Sequence, residues 1–438
     1  MATGSRRSGH NRVLSTSDGA TAWEHYPMAG PAERRDPRRW SVFGGLFGIY
    51  FSFGVVAMSI APIVGEVRAD LGLSRGSMGL ALGAWQLIYI VTAPPAGRLV
   101  DRLGLRRSLT LGALVIVASG LARVAATGLT GFWLAIALFG VGGPLVSAGA
   151  PKVVSTWFSD VHERRFAVGA YNTAPALGGM ATLVLSNSVL MPLTGSWRTT
   201  VAIETGLMVV AAACWLLVSR HSPPSTEATE RAVETGGARS LLAEPEVRAI
   251  LVFGVGVFFI AHGLGGWLPS ILRSHSGFSA MAAANWTALG GVVGIGASLL
   301  LPRRASRDRL PLFLATILTV IVTGLVALIV LPTSFDPVPV AVIGVRSALI
   351  PLTIVMLMDC RAVGPANMGL AFGMWFAVSE IGGVTGPLVV GWVGGTTAGF
   401  GGALVVVAGV CGLLLVVVAH LSRLHSREVG SPGTGTGH

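Results

Sequence analysis

Two ionisable residues, Arg346 and Glu380, lie in the middle of long apolar segments of the chain. A charged side chain at such a position is costly in a membrane unless it faces a cavity or a partner. Arg346 lies about eight residues into segment 338–359 and Glu380 about 13 residues into segment 368–393, which places both at a similar depth at 1.5 Å per residue. The planar guanidinium suits a carboxylate or another small anion, and Glu380 would take up a proton or release Arg346 when the anion arrives. The alternative is a permanent ion pair between the two residues.

Other polar side chains within apolar segments are candidates for lining a solute pathway. His262, about 14 residues into segment 248–272, could shuttle protons or hydrogen-bond to a substrate, or it could be a satisfied packing residue. The remaining candidates carry a polar or aromatic group inside a segment: Tyr50, Gln86, Asn172 and Trp286. For each of these four residues, hydrogen bonding between helices or anchoring at the membrane interface is the alternative.

The sequence lacks the residue patterns that are typical of enzymes, nucleotide-binding proteins and metal sites. We find no nucleophile–base set, no phosphate-binding loop and no metal-ligand spacing, and we therefore expect no enzyme, no cofactor and no metal site. The three cysteines lie in or beside apolar segments, as small core residues do. The net charge of +11 could indicate nucleic acid, but the basic residues lie between apolar segments. This arrangement indicates membrane topology, and we expect no nucleic-acid partner.

Apolar segments dominate the chain, which is 52% hydrophobic and only 12% charged. Twelve segments of about 18–25 residues are each long enough to cross a hydrocarbon core roughly 30 Å thick, and they predict an all-α polytopic membrane protein. The polar ends, 1–39 and 421–438, are predicted to be disordered tails. The twelve predicted segments span residues 40–64, 77–99, 108–126, 131–157, 167–192, 199–219, 248–272, 280–301, 310–331, 338–359, 368–393 and 399–420.

The distribution of positive charge predicts the orientation of the chain. An even number of spans places both termini on one side of the membrane. Most of the 31 lysines and arginines lie in the two tails and in the loops on that side, which predicts a cell-membrane protein with both termini in the cytoplasm. Near the opposite face, Arg123 and Glu204 are expected to pair with each other.

The two halves of the chain repeat each other with an offset of about 204 residues. Gly178 and Gly179, for example, correspond to Gly382 and Gly383. A polar linker, 220–247, separates the two copies, which predicts a six-helix bundle over 40–219 and a second over 248–420. In the same alignment Arg346 replaces Gly142 and Glu380 replaces Ala176, so the charged site is expected to belong to the C-terminal half alone.

A short basic segment, G-R-L-V-D-R-L-G-L-R-R, occupies residues 97–107 between two apolar segments. It resembles the loop between helices 2 and 3 of the major facilitator superfamily of secondary transporters. The resemblance implies two pseudo-symmetric six-helix bundles with a substrate site between them near mid-membrane. It also implies a gating loop, whose aspartate contacts the cytoplasmic N-terminus of helix 11, here 364–367. The expected gating residues are Gly97, Asp101, Arg102, Gly104, Arg106 and Arg107, with the two glycines permitting close approach and a sharp turn.

Two further motifs point to particular branches of that superfamily. Residues 267–272, W-L-P-S-I-L, resemble the cyanate and nitroimidazole transporter-like branch. Residues 174–179, A-P-A-L-G-G, resemble the Gly-Pro-x-x-Gly-Gly antiporter motif of drug exporters, from which Ala174 departs. Gly178 and Gly179 would allow tight helix packing in either case.

The sequence therefore predicts a secondary transporter that moves a small solute by alternating access. The first hypothesis is proton-coupled symport or exchange of a small organic or inorganic anion, with Arg346 and Glu380 in the leading roles. The alternatives are proton-driven multidrug efflux and a non-transporting membrane sensor. The expected partners are an anionic small molecule, the proton and the lipid bilayer, and we expect the chain to act as a monomer.

Overall fold

The computed structural model describes residues 37–158, 160–221, 238–305, 309–363 and 368–429, and these residues form helices and turns without a strand. Twelve of the helices in these ranges are long and apolar enough to cross a membrane, which confirms the predicted all-α architecture. Most of the two predicted tails, the greater part of the linker and the predicted N-terminus of helix 11 lie outside the described residues.

The twelve spans are labelled α1 to α12 in chain order. Nine of them are single helices: α1 Arg39–Met58, α3 Leu105–Ala125, α4 Leu129–Trp157, α6 Trp197–Val218, α7 Pro245–His275, α8 Ala280–Arg304, α9 Leu310–Val330, α11 Met368–Gly394 and α12 Gly399–Val429. The other three are interrupted: α2 comprises Arg75–Leu82 and Ala84–Leu103, α5 comprises Val161–Leu185, a π-helical turn Ser186–Leu190 and Met191–Thr194, and α10 comprises Pro337–Ile343, a 3₁₀ turn Gly344–Ala348 and Leu349–Asp359.

The predicted boundaries agree with these helices within a few residues, except at the start of α5, at the end of α12 and at the end of the first span. Helix α5 begins six residues before the predicted start at 167, and α12 continues nine residues past the predicted end at 420, into the segment predicted as a disordered tail. The end of the first span differs in another way. There the chain continues through a 3₁₀ turn, Ala61–Ile63, into a short helix, Val64–Leu71. Pro62 cannot donate a backbone hydrogen bond, which explains why α1 does not run through this region without a break. The short helix lies at the end of α1 opposite to Arg39, and it contributes three charged residues described below.

Helices α1–α6 form the N-terminal half and α7–α12 the C-terminal half. One apolar core fills the tail-side part of the N-terminal half, and a second fills the C-terminal half and extends into the far-side part of the N-terminal half, where it includes Phe132 and Trp197. Large side chains such as Phe139 and Trp215 fill the first half, and Trp267 and Trp375 fill the second. Many leucine and valine side chains instead remain exposed on the helix surfaces, including Leu413 and Val416. Exposed apolar surface of this extent is what a helix bundle presents to hydrocarbon.

The two ends of the bundle differ. We call the end at which α1 begins and α12 ends the tail side, and the opposite end the far side. The halves pack against each other mainly through α2 against α11 and α5 against α8. A Cβ atom on Gly79, in the far-side part of α2, would lie 2.4 Å from the carbonyl oxygen of Pro387 in α11. The main chains of the two halves therefore meet closely on the far side.

The basic loop forms the predicted sharp turn. Only Gly104 separates the end of α2 at Leu103 from the start of α3 at Leu105, and its φ of +77° is in the region that favours glycine. The loop is tied to α6, because the indole nitrogen of Trp215 donates to the carbonyl oxygen of Arg106 at 3.2 Å. The turn thus holds the tail-side ends of α2 and α3 together.

Candidate transport site

Glu380 and His262 lie together where α2, α7 and α11 meet. The Glu380 side chain is 1% exposed, and its Oε2 atom has no hydrogen-bond partner among the described residues. A Cβ atom on Gly383, about one turn further along α11, would lie 2.3 Å from Glu380 Oε2 and 3.3 Å from His262 Cδ2. The same point would lie 3.2 Å from Cγ of Gln86. Three of the residues predicted from the sequence therefore converge at one small glycine.

The Gln86 and His262 side chains bridge the two halves. Gln86 Nε2 lies 3.2 Å from His262 Nδ1, and Gln86 itself is 2% exposed. Because an amide nitrogen only donates, Nδ1 is the acceptor, and the neutral imidazole then carries its proton on Nε2. The Oε1 atom of Gln86 is buried without a hydrogen-bond partner in the described part of the chain. The site thus contains acceptor oxygens that a proton or a solute can still satisfy.

Aromatic rings from both halves surround these polar groups. His262 lies 5.6 Å from the ring centroids of both Trp85 and Phe258. Tyr89 is 5.6 Å from Phe376 on the opposite half, and its hydroxyl forms a short hydrogen bond with Ser147. Aromatic residues inside apolar segments resemble ordinary core residues in a sequence, and the predicted site residues did not include Trp85 or Phe376. Only the pairing of the halves identifies them as the apolar wall of the site.

Arg346 occupies a different position from the Glu380 cluster. It lies in the 3₁₀ turn of α10, is partly exposed, and donates weakly from Nη1 to the carbonyl oxygen of Ile343 at 3.4 Å. The ion pairs within 4.0 Å among the described residues do not include one between Arg346 and Glu380. In this conformation the two residues are not paired, and the guanidinium has no carboxylate partner in the described ranges.

The remaining predicted pathway residues lie apart from the Glu380 cluster. Tyr50 is 8% exposed and packs within the N-terminal half, 5.3 Å from the ring of Tyr171. Asn172 is exposed and donates to the carbonyl oxygen of Val168 in its own helix at 2.8 Å. Trp286 is partly buried against the core of the C-terminal half. The contacts of Tyr50 and Asn172 are those expected of packing and helix-surface residues.

The predicted gate is only partly visible. The Asp101 side chain and residues 364–367 lie outside what the structure describes, so the contact between them stays a prediction. Arg102 and Arg107 are exposed, and a Cβ atom on Gly97 would meet nothing within 4 Å. Among the described residues nothing approaches Gly97 closely, and the approach predicted there stays a prediction.

The far-side contact contains charged groups that the sequence did not identify as a gate. Arg273 at the end of α7 forms an ion pair with Glu66 of the short helix Val64–Leu71, with Nη1 2.8 Å from Oε1. Arg75 at the start of α2 donates to the carbonyl oxygen of Gly394 at the end of α11. Both contacts join the N-terminal half to the C-terminal half and fasten the far side in its closed form.

Arg123 and Glu204 are both buried in the N-terminal half, but they do not form the expected pair. Arg123 Nη1 donates to the carbonyl oxygen of Val56 at 2.6 Å and to Ser59 Oγ at 3.1 Å. Glu204 Oε1 accepts from Ser186 Oγ at 2.5 Å. No ion pair within 4.0 Å joins the two residues among those of the described ranges. Backbone and hydroxyl groups bind each side chain in place of an ion pair, and Arg123 Nε and Glu204 Oε2 are left without a hydrogen-bond partner in the described ranges.

Twelve membrane-length helices in two halves, with a shared polar cluster between the halves, define a multi-pass membrane protein of the secondary-transporter class. The family model of the Major Facilitator Superfamily matches residues 46–360. The chain belongs to this superfamily, as the loop at 97–107 predicts.

Relatives with similar sequences are named as transporters. The chain is 25% identical to the probable galactarate/D-glucarate transporter GudP of Escherichia coli, over 92% of this chain and 98% of that one. It is 24% identical to a putative tartrate transporter of Agrobacterium vitis, over 86% and 91% of the two chains. The match to the uncharacterized transporter YycB of Bacillus subtilis, at 24% identity, spans 57% of this chain and only 60% of that relative.

Solved structures share the fold. A bacterial homologue of the human lysosomal transporter Spinster, crystallised inward-facing and unoccupied, has a TM-score of 0.73 at 18% identity, over 90% of this chain and 98% of that one. The nucleoside transporter NupG also has a TM-score of 0.73, at 14% identity, over 87% and 99% of the two chains. At such identities these likenesses show the fold alone.

Proposed function

We propose that this chain is a proton-coupled transporter of a small organic anion, which works by alternating access between its two halves. The observation that carries this proposal is the position of Glu380, buried between the halves with an unpartnered oxygen. A charged carboxylate without a partner is costly to bury, and binding a proton removes that charge. Glu380 is therefore assigned as the proton-coupling residue. The proposed function is transport and includes no catalytic reaction.

The anionic substrate class rests on Arg346. Its guanidinium is partly exposed at mid-span in α10 and lacks a carboxylate partner in the described ranges. A carboxylate is the group that best matches its fork of donors. The names of several relatives, which include galactarate, tartrate and galacturonate, support a carboxylate cargo. His262 and Gln86 are assigned to the polar end of the substrate pathway.

The orientation follows from the charge bias. Basic residues are concentrated at the tail side, so we place that side in the cytoplasm and the protein in the cell membrane. The conformation described here, closed on the far side, is then inward-facing. Because one chain supplies both halves of the pathway, we propose that a monomer embedded in the bilayer is the working unit.

Drug export is the main competing function, and its sequence support has a packing explanation. A Cβ atom on Gly178 would lie 1.9 Å from the carbonyl oxygen of Phe51, and one on Gly54 would lie 2.0 Å from that of Pro175. The glycine motif of α5 therefore packs tightly against α1. This close contact accounts for the motif without any drug substrate.

Uptake by proteoliposomes tests the proposed function. The panel contains galactarate, tartrate, galacturonate, 2-nitroimidazole and a cationic dye, each measured with and without an inward proton gradient. We expect at least one carboxylate to accumulate inside the proteoliposomes when the gradient is present and not to accumulate without it. Glu380→Gln should abolish gradient-driven accumulation while exchange of the same anion across the membrane persists, and Glu244→Gln, at an exposed position, is the matched control. Movement of the dye alone, or anion uptake indifferent to the gradient, would contradict the proposal.

A further inference from the structure

A polar cavity of about 260 Å³ lies on the far side at the boundary between the halves. Arg68 and Arg75 reach it from the N-terminal half, and Ser270, Arg273 and Ser274 reach it from the C-terminal half. It is separate from the Glu380 cluster and from Arg346, and none of the predicted pathway residues lines it. The cavity is built from both halves, and it is complete only while the far side is closed.

The charges around this cavity are unbalanced. Arg68, Arg75 and Arg273 bring three guanidiniums together, and the carboxylate paired with them is Glu66, which binds Arg273 at 2.8 Å. The other acidic group of the short helix, Asp70, is held by Arg198 outside the cavity. Bringing like charges together in a partly desolvated space is unfavourable unless a counter-charge accompanies them.

The guanidiniums also retain unused donors. Arg75 is fixed in place by its bond to the Gly394 carbonyl and by the ring of Phe400, whose centroid lies 4.7 Å from its guanidinium carbon. The Nε atom of Arg68 is buried and has no hydrogen-bond partner within the described ranges. Arg273 reaches across the boundary so far that a Cβ atom on Gly65 would lie 3.1 Å from its Nη1. Arginine side chains from both halves thus line one small space.

We propose that this cavity binds a small soluble oxyanion, a carboxylate, phosphate or sulfate, and that the bound anion holds the far side closed. Guanidinium forks and serine hydroxyls are suited to the oxygens of such anions. Because the site is formed by residues of both halves, the anion binds the far-closed conformation more tightly than any form in which the halves separate. By linkage it shifts the equilibrium toward that conformation without itself being transported. The inference rests on the far-side geometry and does not depend on the identity of the cargo.

Thermal unfolding of the purified full-length protein in maltoside micelles, which contain no phosphate group, provides the first test. Sulfate, phosphate and acetate are titrated at constant ionic strength against sodium chloride, and we expect at least one of them to raise the unfolding temperature. Arg68→Gln should weaken the apparent affinity at least tenfold, whereas Arg68→Lys should keep part of it. Arg239→Gln should leave the response unchanged, because this position does not line the cavity.

A distance measurement provides the second test. Spin labels on Thr156→Cys in α4 and Met358→Cys in α10, in a background in which the exposed Cys214 is replaced by serine, report the separation of the halves on the tail side. In the labelled protein with Arg68 intact, the anion should increase the fraction of molecules in which the two labels are far apart. In the Arg68→Gln background the anion should have no effect. A full response in Arg68→Gln, or its loss in Arg239→Gln, would overturn the proposal. So would a response to phosphatidylglycerol added to the micelles with none to the soluble anions.

Discussion

The amide of Gln86 and the imidazole of His262 join the two halves of the transporter, with Nε2 3.2 Å from Nδ1. The residues are 176 positions apart in the chain and belong to α2 and α7. They lie next to Glu380, so the group proposed to bind the proton adjoins a hydrogen bond that forms only when the halves approach each other. A change of charge at Glu380 therefore acts directly on a contact between the halves.

Loss of this hydrogen bond should weaken the far-closed conformation. A typical hydrogen bond contributes about 0.5–1.5 kcal/mol, which corresponds to about a two- to tenfold change in the ratio of conformations. We expect Gln86→Leu to increase the population with a short tail-side distance, measured between spin labels at positions 156 and 358. Ser188→Ala, which removes a weak 3.4 Å contact with Asn285, should have a smaller effect. Equal populations in Gln86→Leu and the parent protein would contradict the assigned role.

Replacement of Arg346 should separate anion transport from other transport. Arg346→Gln removes the charged fork proposed to bind the carboxylate, and we expect anion uptake to fall at least a hundredfold, with partial activity in Arg346→Lys. Arg239→Gln, at an exposed position of the short helix Ala238–Ala243, is the control for loss of one positive charge. Full anion uptake by Arg346→Gln would contradict the assignment of Arg346 to anion binding. If the same variant still exported the dye, drug efflux would remain as the competing function.

A methyl group on Gly79 should prevent closure of the far side. The added Cβ atom would lie 2.4 Å from the carbonyl oxygen of Pro387, and main chain cannot yield as a flexible side chain does. We expect Gly79→Ala to reduce transport at least tenfold and to favour the short tail-side distance. Gly206→Ala in α6 is the matched control, because its Cβ atom meets nothing within 4 Å and the gain in helix propensity, about 1 kcal/mol, is the same. Similar behaviour of the two variants would exclude a steric cause.

The thiol of Cys360 should resist alkylation at moderate pH. Burial, together with the hydrogen bond from its Sγ to Glu246 Oε2 at 3.2 Å, raises the pKa of Cys360 from an ordinary value near 9 to about 12. The neutral thiol is thus favoured in the folded protein, and the resulting stability is present below pH 9 and lost as the pH rises toward 12. Iodoacetamide labelling followed by mass spectrometry at pH 8 to 9 should find Cys360 unmodified.

Removal of the neighbouring carboxylate tests the cause of this pKa shift. Glu246→Gln should lower the pKa of Cys360 and increase its labelling rate, because the thiolate no longer meets a negative charge. Glu244→Gln is the control, since Glu244 makes a smaller contribution. Labelling of Cys360 in the parent protein at the rate of an exposed thiol would contradict the buried hydrogen bond.

The spans and the basic turn could be predicted from the sequence because their signals are local. An apolar run of membrane length can be recognised from the residues of one segment alone. Gly104 adopts the positive φ that the turn between its immediate neighbours requires. The convergence of Gln86, His262 and Glu380 depends instead on how three distant helices pack. The sequence indicated that each residue was unusual, but it could not show that they meet.

Neither of the two ion pairs considered from the sequence, Arg346–Glu380 as an alternative and Arg123–Glu204 as an expectation, forms among the described residues. Similar depth in the membrane does not specify the direction in which a side chain points, so Arg346 and Glu380 were not brought together by their matching depths. Arg123 and Glu204 were expected to satisfy each other, but Val56 offers a backbone carbonyl from α1 that the sequence does not reveal. The far-side arginines were counted for topology, and only the closed contact between the halves shows them as a group.

The 3₁₀ turn that carries Arg346 has a geometric consequence for the whole of α10. A 3₁₀ turn advances about 120° per residue and an α-helix about 100°, so five residues, Gly344–Ala348, accumulate a phase slip of roughly 100°. The helix therefore has a far-side piece, Pro337–Ile343, and a tail-side piece, Leu349–Asp359. Residues of the two pieces that face the same direction would fall on different sides of one continuous helical wheel. Arg346 lies where the helical periodicity changes, between two pieces of α10 that each pack against their own neighbours.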